Sequence, residues 1–471
     1  MSCLRGTRWH RPHLFFIFVT FLLYSMALIL AGPIYPQIVI VLCDGDLSRA
    51  SLVSGMMAGL SALATFLVAP LLGAVSDHVG RRPVLLLSLV GMMLEMAAMA
   101  SWQSLHLWML IFARVVAGMV NSFIAMGYAS ISDVSTPEHR SAGFASLGVA
   151  MGLALVSAPM LGGWLATNYF LSLPVLVSMI LTLLNVIFVM FVFVESRTEQ
   201  NGKGTQLSCK RLNPFRSFML LSCDRFTLGM AVVLFIVVVG EDGIMDIFIL
   251  FVKYAFHWGP MQIGEVMSVL GACFILVQGF GVRILLKWMR ESYVILFGLF
   301  IHAASIPCYG LINNGYYLYP VLIFRSLATV ANPTMQGAIS QHYDQSQQGE
   351  VLGMLSGLKT ICAFIGPLVF NNLFSYYTVK GAWPMESPRI VFFFASFLFC
   401  IAFVLCCILL AVERRMGAPV GPRVLVVNEG ALDQQASEDL TASDKERWPL
   451  LWSPPSAAAE ANDSSTSRQR F

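Results

Sequence analysis

The sequence predicts an all-α, polytopic integral membrane protein with twelve transmembrane helices in two pseudo-symmetric six-helix bundles. Three observations carry this expectation. Hydrophobic residues make up 57% of the 471 residues and charged residues 12%, with a mean hydropathy of +0.74, whereas a soluble domain carries about 25% charged residues. Apolar stretches of the roughly 20 residues needed to cross a bilayer recur up to about residue 412. The second half also repeats polar landmarks of the first at an offset of about 211 residues.

Turn and charge punctuation sets the spans at 14–41, 51–75, 83–101, 105–131, 141–166 and 172–194, then 226–252, 262–286, 292–312, 316–341, 349–376 and 389–412. Arg5, Arg8 and Arg11 precede the first apolar run, which outlasts a secretory h-region and is expected to stay as an uncleaved span. The second and third spans are divided by GAVSDHVGRR (Gly73–Arg82), which packs acid, arginines and glycines into one short turn. PEHR, ending at Arg140, separates the fourth and fifth, and VRILLKWMRES the eighth and ninth. The polar, basic connection 195–225 divides the spans six and six, giving bundles over 14–194 and 226–412, a short segment 1–13 and a tail 413–471.

An even number of spans places both termini on one side. Arg81, Arg82, Arg140, Lys203, Lys210, Arg211, Arg216, Lys287, Arg290, Arg414 and Arg415 share the side of the termini, while Arg49, Lys253 and Lys380 lie opposite. By the positive-inside rule the termini are cytoplasmic, at an endolysosomal or plasma membrane. The tail is polar and rich in Ser, Ala and Pro, as in disordered segments. Within it, Glu446, Leu450 and Leu451 match an acidic dileucine sorting signal, for which clathrin adaptors would be partners.

The repeat aligns Arg114 with Arg325, Asn121 with Asn332 and Asp133 with Asp344. Two halves of common origin point to a binding site between them near the bilayer midplane. Gly73, Asp77, Gly80, Arg81 and Arg82 in the loop between spans two and three, with Arg114 and Gly118 in span four, resemble the major facilitator superfamily. Pro159, Gly162 and Gly163 partly match its antiporter signature, with Ala154 and Ala158 where glycines are usual. PEHRSAGFASLG, GEDGIMDIFILFVKY and QQGEVLGMLSGLKTICAFIGP are similar to the tetracycline-efflux-like branch and its hippocampus-abundant-transcript-like members.

The resemblance implies a cytoplasmic gate. Asp77 would face the N-terminus of the eleventh helix near Gln348 and Gly349, and Arg81 would pair with Asp133. The second copy of the motif keeps Arg283, Lys287 and Arg290 but lacks the acid.

Ionisable groups inside a membrane cost at least ~2.5 kcal/mol each, so each asks for a role. Arg114 is expected to hold a carboxylate or substrate anion, or to be tied to Glu95, and Arg325 is its repeat partner. Glu241, Asp242 and Asp246 are a candidate proton-coupling group, or solvated charges if the helix breaks at Gly240 and Gly243. Lys359 would pair with one of these acids or attract an anion. Tyr24, Gln37, Asn121, Gln278 and Asn332 suit a cavity lining, each also fitting interhelical hydrogen bonding.

The pairs Gly55/Gly59, Gly148/Gly152 and Gly353/Gly357 fit close approach of the second, fifth and eleventh helices. Cys406 and Cys407 suit lipid-facing positions or palmitoylation, and the ten cysteines suggest no disulfide framework. No phosphate loop, metal cluster or catalytic triad is present, and the histidines, His302 included, lack ligand spacing, so no cofactor, nucleic acid or enzymatic activity is expected. The expectation is a monomeric secondary transporter of a small organic solute, working by alternating access and coupled to protons. The alternative is a non-transporting transceptor or trafficking adaptor of the same fold acting through its tail.

Overall fold

A computed structural model describes residues 14–135, 140–196, 218, 224–343, 348–379 and 387–415. The dileucine residues Glu446, Leu450 and Leu451, the basic residues at 5–11 and 203–216, and Asp344 lie outside the described residues. So do the side chains of Arg140 and Gln348.

The described residues are helical throughout, with turns between. In order the helices are α1 (Leu14–Ala31), α2 (Tyr35–Leu42), α3 (Leu47–Val79), α4 (Arg81–Ala100), α5 (Leu107–Val120), α6 (Phe123–Val134), α7 (Arg140–Asn168) and α8 (Leu173–Phe191). After the central connection come α9 (Arg225–Phe256), α10 (Pro260–Leu276), α11 (Val282–Trp288), α12 (Glu291–Leu311), α13 (Leu318–Ser326), α14 (Ala331–Ser340), α15 (Gln348–Thr378) and α16 (Ile390–Arg415). Ten segments among the described residues are long and apolar enough to cross a membrane. The chain is therefore an integral membrane protein. Helix α9 has the length as well, 32 residues or about 48 Å, but carries Glu241, Asp242 and Asp246.

Several predicted spans prove to be broken helices. Gly32 and Pro33 interrupt the first between α1 and α2, because proline cannot donate the helical hydrogen bond. The fourth breaks at Asn121 and Ser122 between α5 and α6. There Ser88 of α4 repairs the exposed backbone: its Oγ donates to the Val120 carbonyl at 2.7 Å and accepts from Ser122 N–H at 3.1 Å. Such repair is required where no water is available. A π turn at Val277–Gly281 joins α10 to α11, and a 3-10 turn at Leu327–Val330 joins α13 to α14. Gln278 spans the two, donating to the Thr329 carbonyl at 3.0 Å.

Helix α9, by contrast, is continuous. The alternative of a break at Gly240 and Gly243 is overturned, because both glycines are packing positions: a Cβ would lie 2.8 Å from the Phe399 ring and 2.3 Å from the Phe370 ring, respectively.

Contacts between the two halves run mainly along two helix pairs, α3 with α15 and α7 with α10, with smaller contacts of α9 to α2 and α3. These contacts gather at the face opposite the start of α1, here the distal face. A Cβ on Gly55 would lie 2.6 Å from Asn371, and one on Gly59 2.9 Å from Leu368. On the other pair, a Cβ on Gly163 would lie 2.4 Å from the Pro260 carbonyl oxygen, and one on Gly264 2.4 Å from that of Pro159. Toward the terminal face Gly73 of α3, Gly148 of α7, Gly279 of the π turn and Gly349 of α15 have nothing within 4 Å of a Cβ position. The expected meeting of helices two, five and eleven is thus corrected to two separate pairs, two with eleven and five with eight.

Candidate functional site

At the terminal face, the GRR turn is built around Gly80. Its φ of 107° lies in the region glycine alone adopts readily, and a Cβ would lie 2.5 Å from Glu195 Oε2. That carboxylate accepts the free N–H groups of Arg81 at 2.8 Å and Arg82 at 3.1 Å, capping α4 where its dipole is positive. Sequence reasoning assigned Glu195 no role; its distance from the motif, 114 residues, hid it.

Arg81 bonds Asp77 at 2.8 Å and Asp133 at 3.0 Å and donates to Ser76 Oγ at 2.5 Å. Arg82 instead donates to the carbonyls of Val189, at 3.1 Å, and Met190, tying α4 to the end of α8. Among the described residues Asp77 is bound by Arg81, and a Cβ on Gly349 at the start of α15 would have nothing within 4 Å.

Deeper in the first half, Arg114 Nη1 pairs with Glu95 Oε1 of α4, and its Cζ lies 4.9 Å from the centre of the Tyr35 ring. Tyr24, 3% exposed, stacks on Phe123 with ring centres 4.0 Å apart and donates to Asn121 Oδ1 at 3.4 Å. Gln37 is equally buried and donates to the Pro33 carbonyl, where it satisfies the α1–α2 break.

In the second half, Glu241 Oε2 accepts from Asn332 Nδ2, while its Oε1 lies 3.0 Å from Nε2 of a buried His302. His302, which lacks ligand spacing in the sequence, is thus the neighbour of the Glu241 carboxylate. Only tertiary packing brings His302 of α12 to Glu241 of α9, with the His302 ring 4.9 Å from that of Phe399 in α16. Arg325, 8% exposed, also attracts Glu241, and its Cζ lies 6.0 Å from the Tyr309 ring. The repeat-matched asparagines therefore make matching contacts, Asn121 to the first helix of its half and Asn332 to α9.

The remaining acids diverge. Asp246 accepts from Asn371 Nδ2 of α15 at 2.5 Å and is attracted by Arg114 of the other half. Asp242 packs beside Gly366, and Lys359 is attracted to Asp242 and Glu241. Charges of both signs thus meet where the halves face one another, which suits recognition of a polar solute. Among the described residues no group of three His, Cys, Asp or Glu side chains is placed to hold a metal ion. Cys406 is fully buried, so its expected lipid-facing position is corrected.

The Major Facilitator Superfamily model matches residues 15–367 and again 230–459. Tetracycline resistance protein, class D, of Salmonella ordonez is 30% identical over 371 residues, covering 78% of this chain and 90% of that protein. Hippocampus abundant transcript-like protein 1 of Homo sapiens is 25% identical over 332 residues, covering 70% of this chain and 65% of that protein. In fold, the chain is similar to the human organic anion transporter MFSD10 (TETRAN), with a TM-score of 0.63 at 20% identity, covering 83% of this chain and 98% of that one. It is also similar to a D-xylose-proton symporter, with a TM-score of 0.65 at 12% identity, covering 83% and 96%. The chain belongs to the major facilitator superfamily and is a membrane transport protein.

Proposed function

We propose that the protein is a secondary active transporter that moves a small organic solute by alternating access, coupled to protons through Glu241. In this reading α9 and the broken α13–α14 segment join the ten apolar spans to make twelve, six in each half, with cytoplasmic termini. The observation that carries it is the one-sided contact between halves: tight glycine contacts at the distal face, open space at Gly73, Gly148, Gly279 and Gly349. An arrangement closed at one face and parted at the other is one end state of a rocking carrier. Arg114, Asp246, Asp242 and Lys359 then border the solute path, and Glu241 with His302, Asn332 and Arg325 forms the proton site beside it. The terminal face closes when the N-terminus of α15 reaches Asp77, with Arg81 and Asp133 holding the ends of α3 and α6 in place.

The test has two stages. A ligand-stabilisation screen on purified protein identifies a solute by mass action without assuming direction; tetracyclines and organic anions, named in the similar proteins, enter first. Uptake of the hit into reconstituted vesicles is then measured with and without a pH gradient. Stimulation by the gradient, abolished in Glu241→Gln, is expected; gradient-independent uptake unchanged by that substitution removes the proton coupling.

A further inference from the structure

We propose that Asn371 is the latch that seals the distal face, a positioning residue that joins the two halves and ties their seal to Asp246. The inference rests on the transporter reading and names a residue that neither the loop motif nor the repeat singles out.

Asn371 is completely buried in α15, and both ends of its amide are occupied. Ser51 Oγ of α3 lies 2.9 Å from Asn371 Oδ1 and 3.0 Å from the Asn371 carbonyl oxygen, so one hydroxyl hydrogen serves two acceptors. Asn371 Nδ2 donates to Asp246 Oδ2 of α9 at 2.5 Å and to the Pro367 carbonyl, one turn back, at 2.8 Å. One side chain therefore connects α3 of the first half with α9 and α15 of the second. A carboxylate accepts and cannot donate, so an ionised Asp246 fixes which end of the amide faces α3. The oxygen is left pointing at Ser51, the donor across the interface.

The surroundings are shaped to this contact. Ser48, Ser51, Gly55 and Gly59 recur at helical spacing on one face of α3. Ser48 Oγ lies 2.7 Å from Ser375 Oγ, one turn beyond Asn371. A Cβ on Gly55 would lie 2.6 Å from Asn371 Cβ and 2.9 Å from the Pro367 carbonyl oxygen, so only glycine lets the latch close. The row ends within the distal half of α3, and at the other end of the same helices a Cβ on Gly73 or Gly349 would have nothing within 4 Å. When α3 leaves α15, the Ser51 bonds break, whereas the Asn371–Asp246 bond stays inside the second half. The latch is thus loaded from one side and released from the other, and Asp246 is held between Asn371 and the attraction of Arg114.

The linking readout reports the seal directly and needs no solute. Ser48→Cys and Ser375→Cys are introduced into the full chain in membrane vesicles, with a protease site in the 197–223 connection, and oxidative linking of the cut halves is measured on gels. The parent pair is expected to link readily. Asn371→Ala and Ser51→Ala should each lower the linked fraction at least threefold. Asn371→Asp should lower it too, by setting a second carboxylate against Asp246, and the exchange Asp246→Asn with Asn371→Asp should raise it above Asn371→Asp alone, because the bond between the two side chains is remade with donor and acceptor traded while the Pro367 carbonyl loses its donor. Each variant is checked for a monodisperse profile after extraction. Linking unchanged by Asn371→Ala and Ser51→Ala overturns the latch, as does a well-folded exchange variant that links no better than Asn371→Asp alone. Efficient linking that leaves solute flux intact overturns the alternating-access reading instead, so the two failures are separable.

Discussion

Buried Glu95 and partly buried Arg114 form an ion pair whose two members are not equally replaceable, and the asymmetry can be measured. Arg114 has other neighbours: the Tyr35 ring, 4.9 Å from its Cζ, and the attraction of Asp246. Glu95, whose side chain is 10% exposed, has Arg114 as its ion-pair partner among the described residues. Breaking a buried ion pair by removing one partner costs about 3–5 kcal/mol. Arg114→Gln strands the glutamate and should fall in that range. Glu95→Gln leaves the guanidinium with a cation–π contact of about 1–2 kcal/mol and a second acid, so its cost should be near 2 kcal/mol. The double substitution removes both charges and leaves two amides able to bond each other, with an expected cost of about 1–2 kcal/mol. The coupling is then at least about 3 kcal/mol, the upper end for residues in contact. Reversible unfolding in mixed micelles, followed by tryptophan fluorescence, provides the three values. Additive losses, or Glu95→Gln costing more than Arg114→Gln, would refute this account of the pair.

Further predictions concern the two faces and the proton site. Gly264→Leu should hold α10 away from α7, since even a Cβ would lie 2.4 Å from the Pro159 carbonyl oxygen; overpacking of about 1–3 kcal/mol shifts a two-state balance roughly 5- to 150-fold away from the sealed distal face, read by the Ser48/Ser375 linking assay. Glu195→Gln weakens the cap of α4 by about 1 kcal/mol and should lower thermal stability while leaving solute binding intact. Asp77→Asn and Arg81→Ala should each cut the transport rate at least tenfold with normal expression; normal rates in both would remove the gate assignment. His302→Gln should abolish stimulation by a pH gradient to the same extent as Glu241→Gln, and a retained response would separate the histidine from the acid.

The membrane helices were legible because crossing a bilayer imposes a local demand, about 20 apolar residues in a row, that composition alone reveals. The charged turn after Gly73 was legible for the same reason, as fixed charges between apolar runs must sit at a surface. Arg114 and Asn121 stood out through their repeat partners and because polar groups are costly in lipid. Glu195 and His302 did not stand out. A glutamate at a helix end and a lone histidine have unremarkable sequence contexts, and their partners are 114 and 61 residues away. The broken helices were missed because a single Asn121 or Gly32 disturbs hydropathy little, although each releases backbone groups that Ser88 or Gln37 must satisfy.

The sequence by itself determined the membrane class and the inventory of charges within apolar stretches, since both follow from transfer free energies of nearby residues. Only the tertiary structure decided how those charges are shared out. Glu241 goes to His302 and Asn332, Asp246 to Asn371 and Arg114, and Arg81 to Asp77 and Asp133. It also decided which face is closed, because that depends on backbone approach at Gly55, Gly163 and Gly264 between helices far apart in the chain. Burial sets the need for a partner, a local property; which partner answers is a matter of packing, where carbonyls, rings and carboxylates compete for the same few ångströms.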